Sequence, residues 1–161
     1  MIIKHQQQPT NNSCVSACIA MLTNQSADKI AGLYNDKYHA QEITERQILS
    51  MEGIPYSEFY PMNPQTVQLP GVYWVEVPSL NLPGINHVLL MEADGEFYWV
   101  HDPQHGTGKK YYSAQDPEDP LGFKLLSWTT LAHVPLSFIA EKYGVPVPEV
   151  VSAPQHTDAG N

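Results

Sequence analysis

Apolar residues recur at helical intervals in the first third of the chain and at strand intervals beyond residue 71. Val15, Cys18, Ile19 and Leu22 fall on one stripe, which predicts a core-facing helix that opens at Cys14, with Asn12 or Ser13 as its N-cap. Thr23-Asn24-Gln25-Ser26 reads as a turn. Ser26 or Asp28 then caps a second helix that runs to about Tyr38, with Ile30, Leu33 and Tyr34 on one side. Thr44-Glu45-Arg46-Gln47 has the form of a capping box and opens a third helix, with Ile48, Leu49 and Met51 as apolar contacts and Gly53 as its stop. Each of these helices is too short to persist alone, so burial against a common partner must hold them.

From Ile54 to Gly71 the pattern dissolves among four prolines and scattered aromatics, which predicts an ordered loop containing at most a short helix after Asn63. Val72–Val77 then reads as a strand ended by Pro78. Asn86–Ala93 and Glu96–His101 form a hairpin about Asp94-Gly95. If Ala93 faces Glu96, His87 faces Asp102 at the open end of that hairpin, with Cβ atoms roughly 5 Å apart. Further on, Lys110–Tyr112 is a short strand, Ser113–Pro120 an acidic loop, and Phe123–Leu126 another strand returning to the sheet. Trp128–His133 carries little signal; Ser137–Tyr143 is a short helix stopped by Gly144, and the polar segment 149–161 is a disordered tail. Helices followed by antiparallel strands make the expected fold class α+β, one domain over residues 1–148.

Composition narrows the field of functions. The chain has 161 residues, 42% of them hydrophobic, which suits one folded domain with a sizeable core. Its formal charge of -9, with Lys109-Lys110 the only adjacent basic pair, argues against nucleic acid or an anionic membrane as a partner. No apolar stretch reaches spanning length, and Met1–Gln6 lacks the apolar core of a secretory signal. Two cysteines four residues apart make no disulfide framework. The expectation is a soluble, cytoplasmic protein, with export by a non-classical route as the alternative, and an oligomeric state that the sequence leaves open.

Candidate chemistry centres on Cys14. A thiol in the first turn of a helix faces free backbone N–H groups and the positive end of the helix dipole, both of which favour the nucleophilic thiolate. Cys18, one turn inside, reads as a small buried hydrophobe. With His87 as base and Asp102 to hold the imidazole, Cys14 completes a nucleophilic triad. The Cys14 backbone N–H and a side-chain amide from Gln6, Gln7 or Gln8 would serve the oxyanion. Separately, each of these residues has an ordinary structural use: a histidine at a strand start, an aspartate before proline in a turn. Their order and matching ends are what favour the joint reading. A zinc set of Cys14, Cys18, His87 and His105 is the weaker assembly, since it takes only one helical pair and isolated histidines. The expectation is no metal and no cofactor.

The run Gln8-Pro9-Thr10-Asn11-Asn12-Ser13-Cys14-Val15-Ser16-Ala17-Cys18-Ile19-Ala20-Met21-Leu22, with Asn86-His87-Val88-Leu89-Leu90 and Val100-His101-Asp102-Pro103-Gln104-His105-Gly106, resembles papain-like cysteine peptidases of the C39 type and their stand-alone C39-like relatives. C39 domains cut double-glycine leaders from bacteriocin precursors. The resemblance covers roughly Gln6 to Leu126. It implies a papain-like fold, with N-terminal helices against an antiparallel sheet. It also implies Cys14 as nucleophile, His87 and Asp102 as its partners, and Gln8, over its neighbours, at the oxyanion hole. The family commonly has Asp-Cys-Gly where this chain has Ser13-Cys14-Val15, and no transporter region accompanies it here. The implied activity is therefore thioester-mediated cleavage of a peptide or protein amide bond, without a double-glycine substrate being implied. Acyl transfer or deamidation by the same triad, and an inactive domain that binds a peptide or protein, are the alternatives. Trp74, Tyr98 and the loop from Pro55 to Pro70 are candidate groove walls.

Overall fold

In a computed structural model of the chain, which describes residues 1–58 and 69–148, the order of elements is α1 (Cys14–Thr23), α2 (Ala27–His39), α3 (Glu45–Met51), β1 (Gly71–Pro78), β2 (Asn86–Ala93), β3 (Tyr98–His101), β4 (Tyr111–Ser113), β5 (Gly122–Lys124), β6 (Thr129–Val134) and α4 (Leu136–Tyr143). The fold is α+β. The short helix expected after Asn63 and the tail at 149–161 lie outside the described residues.

The helices begin and end where their caps dictate. Ser26 accepts from the Lys29 N–H at the head of α2, and the capping box is complete on α3, where Thr44 and Gln47 exchange side-chain and backbone hydrogen bonds. Ser13 occupies the N-cap of α1, but its side chain makes no capping bond to that helix. Two side chains expected in the core are on the surface: Leu33 is 48% exposed and Met51 58%. On each of these helices only a narrow stripe is covered. Ala27 and Ile30 are buried on α2, and Ile48 and Leu49 on α3.

Strands β3, β2, β1 and β6 form one antiparallel sheet in that order, with β1 and β2 central. Alternation along β1 sends Val72 and Trp74 to one face and Tyr73, Val75 and Val77 to the other. The first face is covered by α1, α2, α3 and α4 through Cys18, Ile19, Leu22, Ile30, Leu49 and Ile139. On the second, Leu89 and Met91 pack with Leu125 and Trp128. Both central strands are thus covered on two sides, which accounts for their nearly unbroken apolar sequences.

Three details depart from expectation. β6 fills the stretch that carried little signal, pairing with β1 across a bulge at Trp74 and Val75. β5 does not return to the main sheet but pairs in parallel with β4 in a separate two-stranded sheet. The β2–β3 ladder is displaced by two residues, with Ala93 opposite Tyr98 rather than Glu96. The cause is Asp94, whose Oδ1 accepts the backbone N–H groups of Glu96 and Phe97 while its own N–H donates to the Phe97 carbonyl. Those bonds draw Glu96 and Phe97 into the turn and out of the ladder.

Gly71 opens β1 at φ +145°, and a Cβ built there would lie 2.1 Å from Nε2 of His133, whose ring bonds the Pro70 carbonyl. Gly71→Ala is expected to lower stability by about 1–3 kcal/mol, through backbone strain and displacement of the His133 ring. Chemical denaturation measures it; an unchanged midpoint would mean that the ring moves aside freely.

Candidate active site

Cys14 is the first residue of α1 and the only one of that helix that is partly exposed rather than buried. The N-cap Ser13 turns its hydroxyl backward, accepting from the Thr10 N–H at 2.9 Å and donating to the Thr10 carbonyl at 3.1 Å. That Thr10–Ser13 turn sets the path into the helix. It also leaves the first-turn N–H groups without a side-chain cap, beside the thiol.

His87 stands near the start of β2, 7% exposed, and its Nε2 lies 2.6 Å from Oδ1 of Asp102. The displaced register does not break this pairing. A shift of two residues keeps every side chain on its face, and Asp102, one residue past the end of β3, meets His87 diagonally instead of directly across. Asp102 is 1% exposed and collects two further donors: the Gln104 N–H on Oδ1 at 2.9 Å and the Tyr112 N–H on Oδ2 at 2.7 Å. Both carboxylate oxygens are therefore fixed, one toward His87 and the other toward β4. Nothing in the sequence marked the Gln104 and Tyr112 backbone groups, because main-chain donors have no residue signature.

With Nε2 engaged by Asp102, His87 has Nδ1 left for the thiol. Burial pushes the imidazole toward its neutral form, but the hydrogen bond that His87 donates to Asp102 and the further influence of Cys14 and of both charges outweigh it, and the pKa rises to about 10. The structure thus gathers Cys14, His87 and Asp102 into one interacting set. Cys18 is wholly buried beneath them, and burial, with the Cys14 charge second, raises its thiol well above the ordinary range.

The three glutamines separate. Gln6 ties the N-terminal segment to the α1–α2 connection and the head of α2 by donating to the Gln25 carbonyl and accepting from the Ala27 N–H. Gln7 is exposed beside Gly106. Gln8 is 6% exposed and its backbone N–H donates to the Pro103 carbonyl at 2.9 Å, docking it next to Asp102. Its side-chain amide donates to the Thr10 carbonyl at 2.8 Å, and its Oε1 has no partner. One Nε2 hydrogen remains uncommitted.

Upstream of Gln8, the chain is anchored by a second buried histidine–carboxylate pair. Glu92 accepts from the Ile2 and Ile3 N–H groups, and its Oε1 is 3.0 Å from Nε2 of His101. Burial alone would raise the Glu92 pKa; the His101 and backbone hydrogen bonds win and lower it. This pair has no thiol and serves the chain path.

No family model matches the chain, and no curated protein or solved structure is detectably similar to it. Its own geometry is the guide to its chemistry.

A cavity of about 440 Å³ opens beside Cys14, walled by α1, the end of α2, the head of α3, the end of β1 and the start of β2. Tyr38, Glu45, Glu76 and Ile85 line it, none of them singled out by the sequence. Of the expected walls, Trp74 is buried in the core and borders a neighbouring cavity, and Tyr98 packs on the opposite face of the sheet. Most of the Pro55–Pro70 loop falls outside the described residues. His105 stacks on Tyr111, and among the described residues no three His, Cys, Asp or Glu side chains are grouped to hold a metal.

Proposed function

We propose that the protein is a papain-like thiol hydrolase that cleaves a peptide or protein amide bond through a thioester on Cys14. The observation that carries this reading is the His87 ring, held at 2.6 Å by buried Asp102 and raised in pKa by the influence of the Cys14 thiol at a helix mouth as well as by Asp102. The thiol proton passes to His87, and Sγ attacks the substrate carbonyl carbon. The resulting oxyanion is received by N–H groups at the head of α1 and, once it turns, by the free Nε2 hydrogen of Gln8. His87 then protonates the leaving amine as the C–N bond breaks. Water, deprotonated by His87, opens the thioester and restores the thiol.

The test is labelling with iodoacetamide below pH 8, followed by intact mass. Cys14 is expected to react at least about tenfold faster than an ordinary thiol, and His87→Ala should remove that advantage. An ordinary rate in the wild type would refute the nucleophile assignment.

One observation favours a second reading, a domain that binds a peptide without cutting it. The Gln8 amide donates to Thr10 rather than into the cleft. That reading predicts peptide binding that is indifferent to Cys14→Ala and no mass adduct on the wild type.

A further inference from the structure

The cavity beside Cys14 does not end at the thiol. It shares Glu45 and Glu76 with a second cavity of about 270 Å³, bounded by Arg46, Leu49, Trp74, Leu131 and Ala132. The two carboxylates, one from the first turn of α3 and one from β1, line both cavities, the first of which starts at the candidate nucleophile. Val15, Ile43, Ile85 and Val88 make the near wall apolar.

Neither carboxylate is neutralised. Glu45 accepts from the Tyr38 hydroxyl at 2.5 Å, and Glu76 from the Asn86 amide at 3.0 Å. Both donors are uncharged. Among the described residues no Lys or Arg pairs with either glutamate; Arg46, which also lines the second cavity, is paired instead with Glu58 at 2.8 Å. The Tyr38 phenol stays protonated, its pKa raised by burial first and then by Glu45, with Cys14 and Glu76 adding to the effect. It therefore orients Glu45 without removing its charge. A groove with aliphatic walls and two carboxylates that no cation pairs with matches an aliphatic stem with a cationic end.

Resting on the reading of Cys14 as nucleophile, we infer that this groove selects a lysine or arginine side chain of a peptide substrate, with Glu45 and Glu76 as the recognition residues. A glutamate or aspartate in the same place would meet like charge, and a neutral stem would leave the carboxylates uncompensated.

The probes are peptidyl vinyl sulfones that differ only in lysine or norleucine, placed next to the electrophile or one residue removed. Norleucine has much the same stem and lacks the charge. At low salt, lysine is expected to alkylate Cys14 roughly fivefold faster than norleucine at one of the two positions. The preference should shrink at high salt and in Glu76→Gln. Rates are compared as a ratio within each variant, so a general loss of activity does not enter. Equal rates at both positions, faster norleucine, or a ratio unmoved by both salt and Glu76→Gln would overturn the inference. Iodoacetamide labelling in the same samples separates the causes: rapid His87-dependent labelling without a lysine preference sinks this inference alone, whereas ordinary labelling sinks the nucleophile reading with it.

Discussion

Cys14→Ala is expected to abolish turnover and adduct formation entirely while leaving the thermal transition within a few degrees of wild type. Ala is the strongest helix former, and the position is at the rim of the core, so little packing is lost. Cys18→Ala should behave in the opposite way. Its side chain is sealed among the residues that join α1 to the sheet, so the substitution leaves a small cavity and costs on the order of 1 kcal/mol or more. Turnover should survive, since burial keeps the Cys18 thiol protonated and out of reach of substrate. Steady-state assay, intact mass and denaturation on the two variants distinguish a nucleophile from a core residue. Activity lost in Cys18→Ala and kept in Cys14→Ala, with both folded, would reverse the assignment.

That contrast was legible from residue spacing. The stripe Val15, Cys18, Ile19 and Leu22 fixed which face of α1 is covered, and the polar turn before it placed Cys14 at the join. The capping box on α3 and the bounds of β2 were equally readable, because caps and alternation are local. β6 was hidden for a physical reason. Its inward residues are Thr130, Ala132 and Val134, and only the last is strongly apolar, so burial comes from the partner strand and not from the pattern. Leu33 and Met51 failed in the opposite direction: both look like core residues, yet the element needed to cover them is absent at that point of the described structure.

The candidate site shows the same division. His87 and Asp102 were paired from the hairpin, and the pairing outlived a wrong register because the error was even. A one-residue slip would have turned His87 to the other face. The cleft itself was not readable. Tyr38, Glu45 and Glu76 come from three different elements, α2, α3 and β1, and no sequence motif marks them as lining a cleft. Main-chain donors to Asp102 were invisible for the reason that any residue type supplies them. The sequence therefore marks the candidate Cys14, His87 and Asp102 better than it marks the side chains that shape the cleft.

Asp102→Asn is expected to lower kcat/KM by between about tenfold and 10⁴-fold and to move the alkaline limb of the pH profile to lower pH. Burial works against the His87 imidazolium, and the Asp102 hydrogen bond is the largest of the effects that overcome it, giving a pKa of about 10. Because this folded-state value lies above the ordinary 6.5, the stabilisation is complete below pH 6.5 and is lost as pH rises through about 10. Catalysis by a thiolate beside protonated His87 should fall over the same upper range. Asparagine removes the negative charge and offers one oxygen where Gln104, Tyr112 and His87 now share two. The amide must then turn its own N–H toward another donor or toward His87, so the imidazolium weakens and the Gln104–Tyr112 loop loosens together. A reduced Tm with the earlier alkaline limb is the joint signature of a positioning residue. A variant that loses stability but keeps the wild-type pH profile would confine Asp102 to holding the loop.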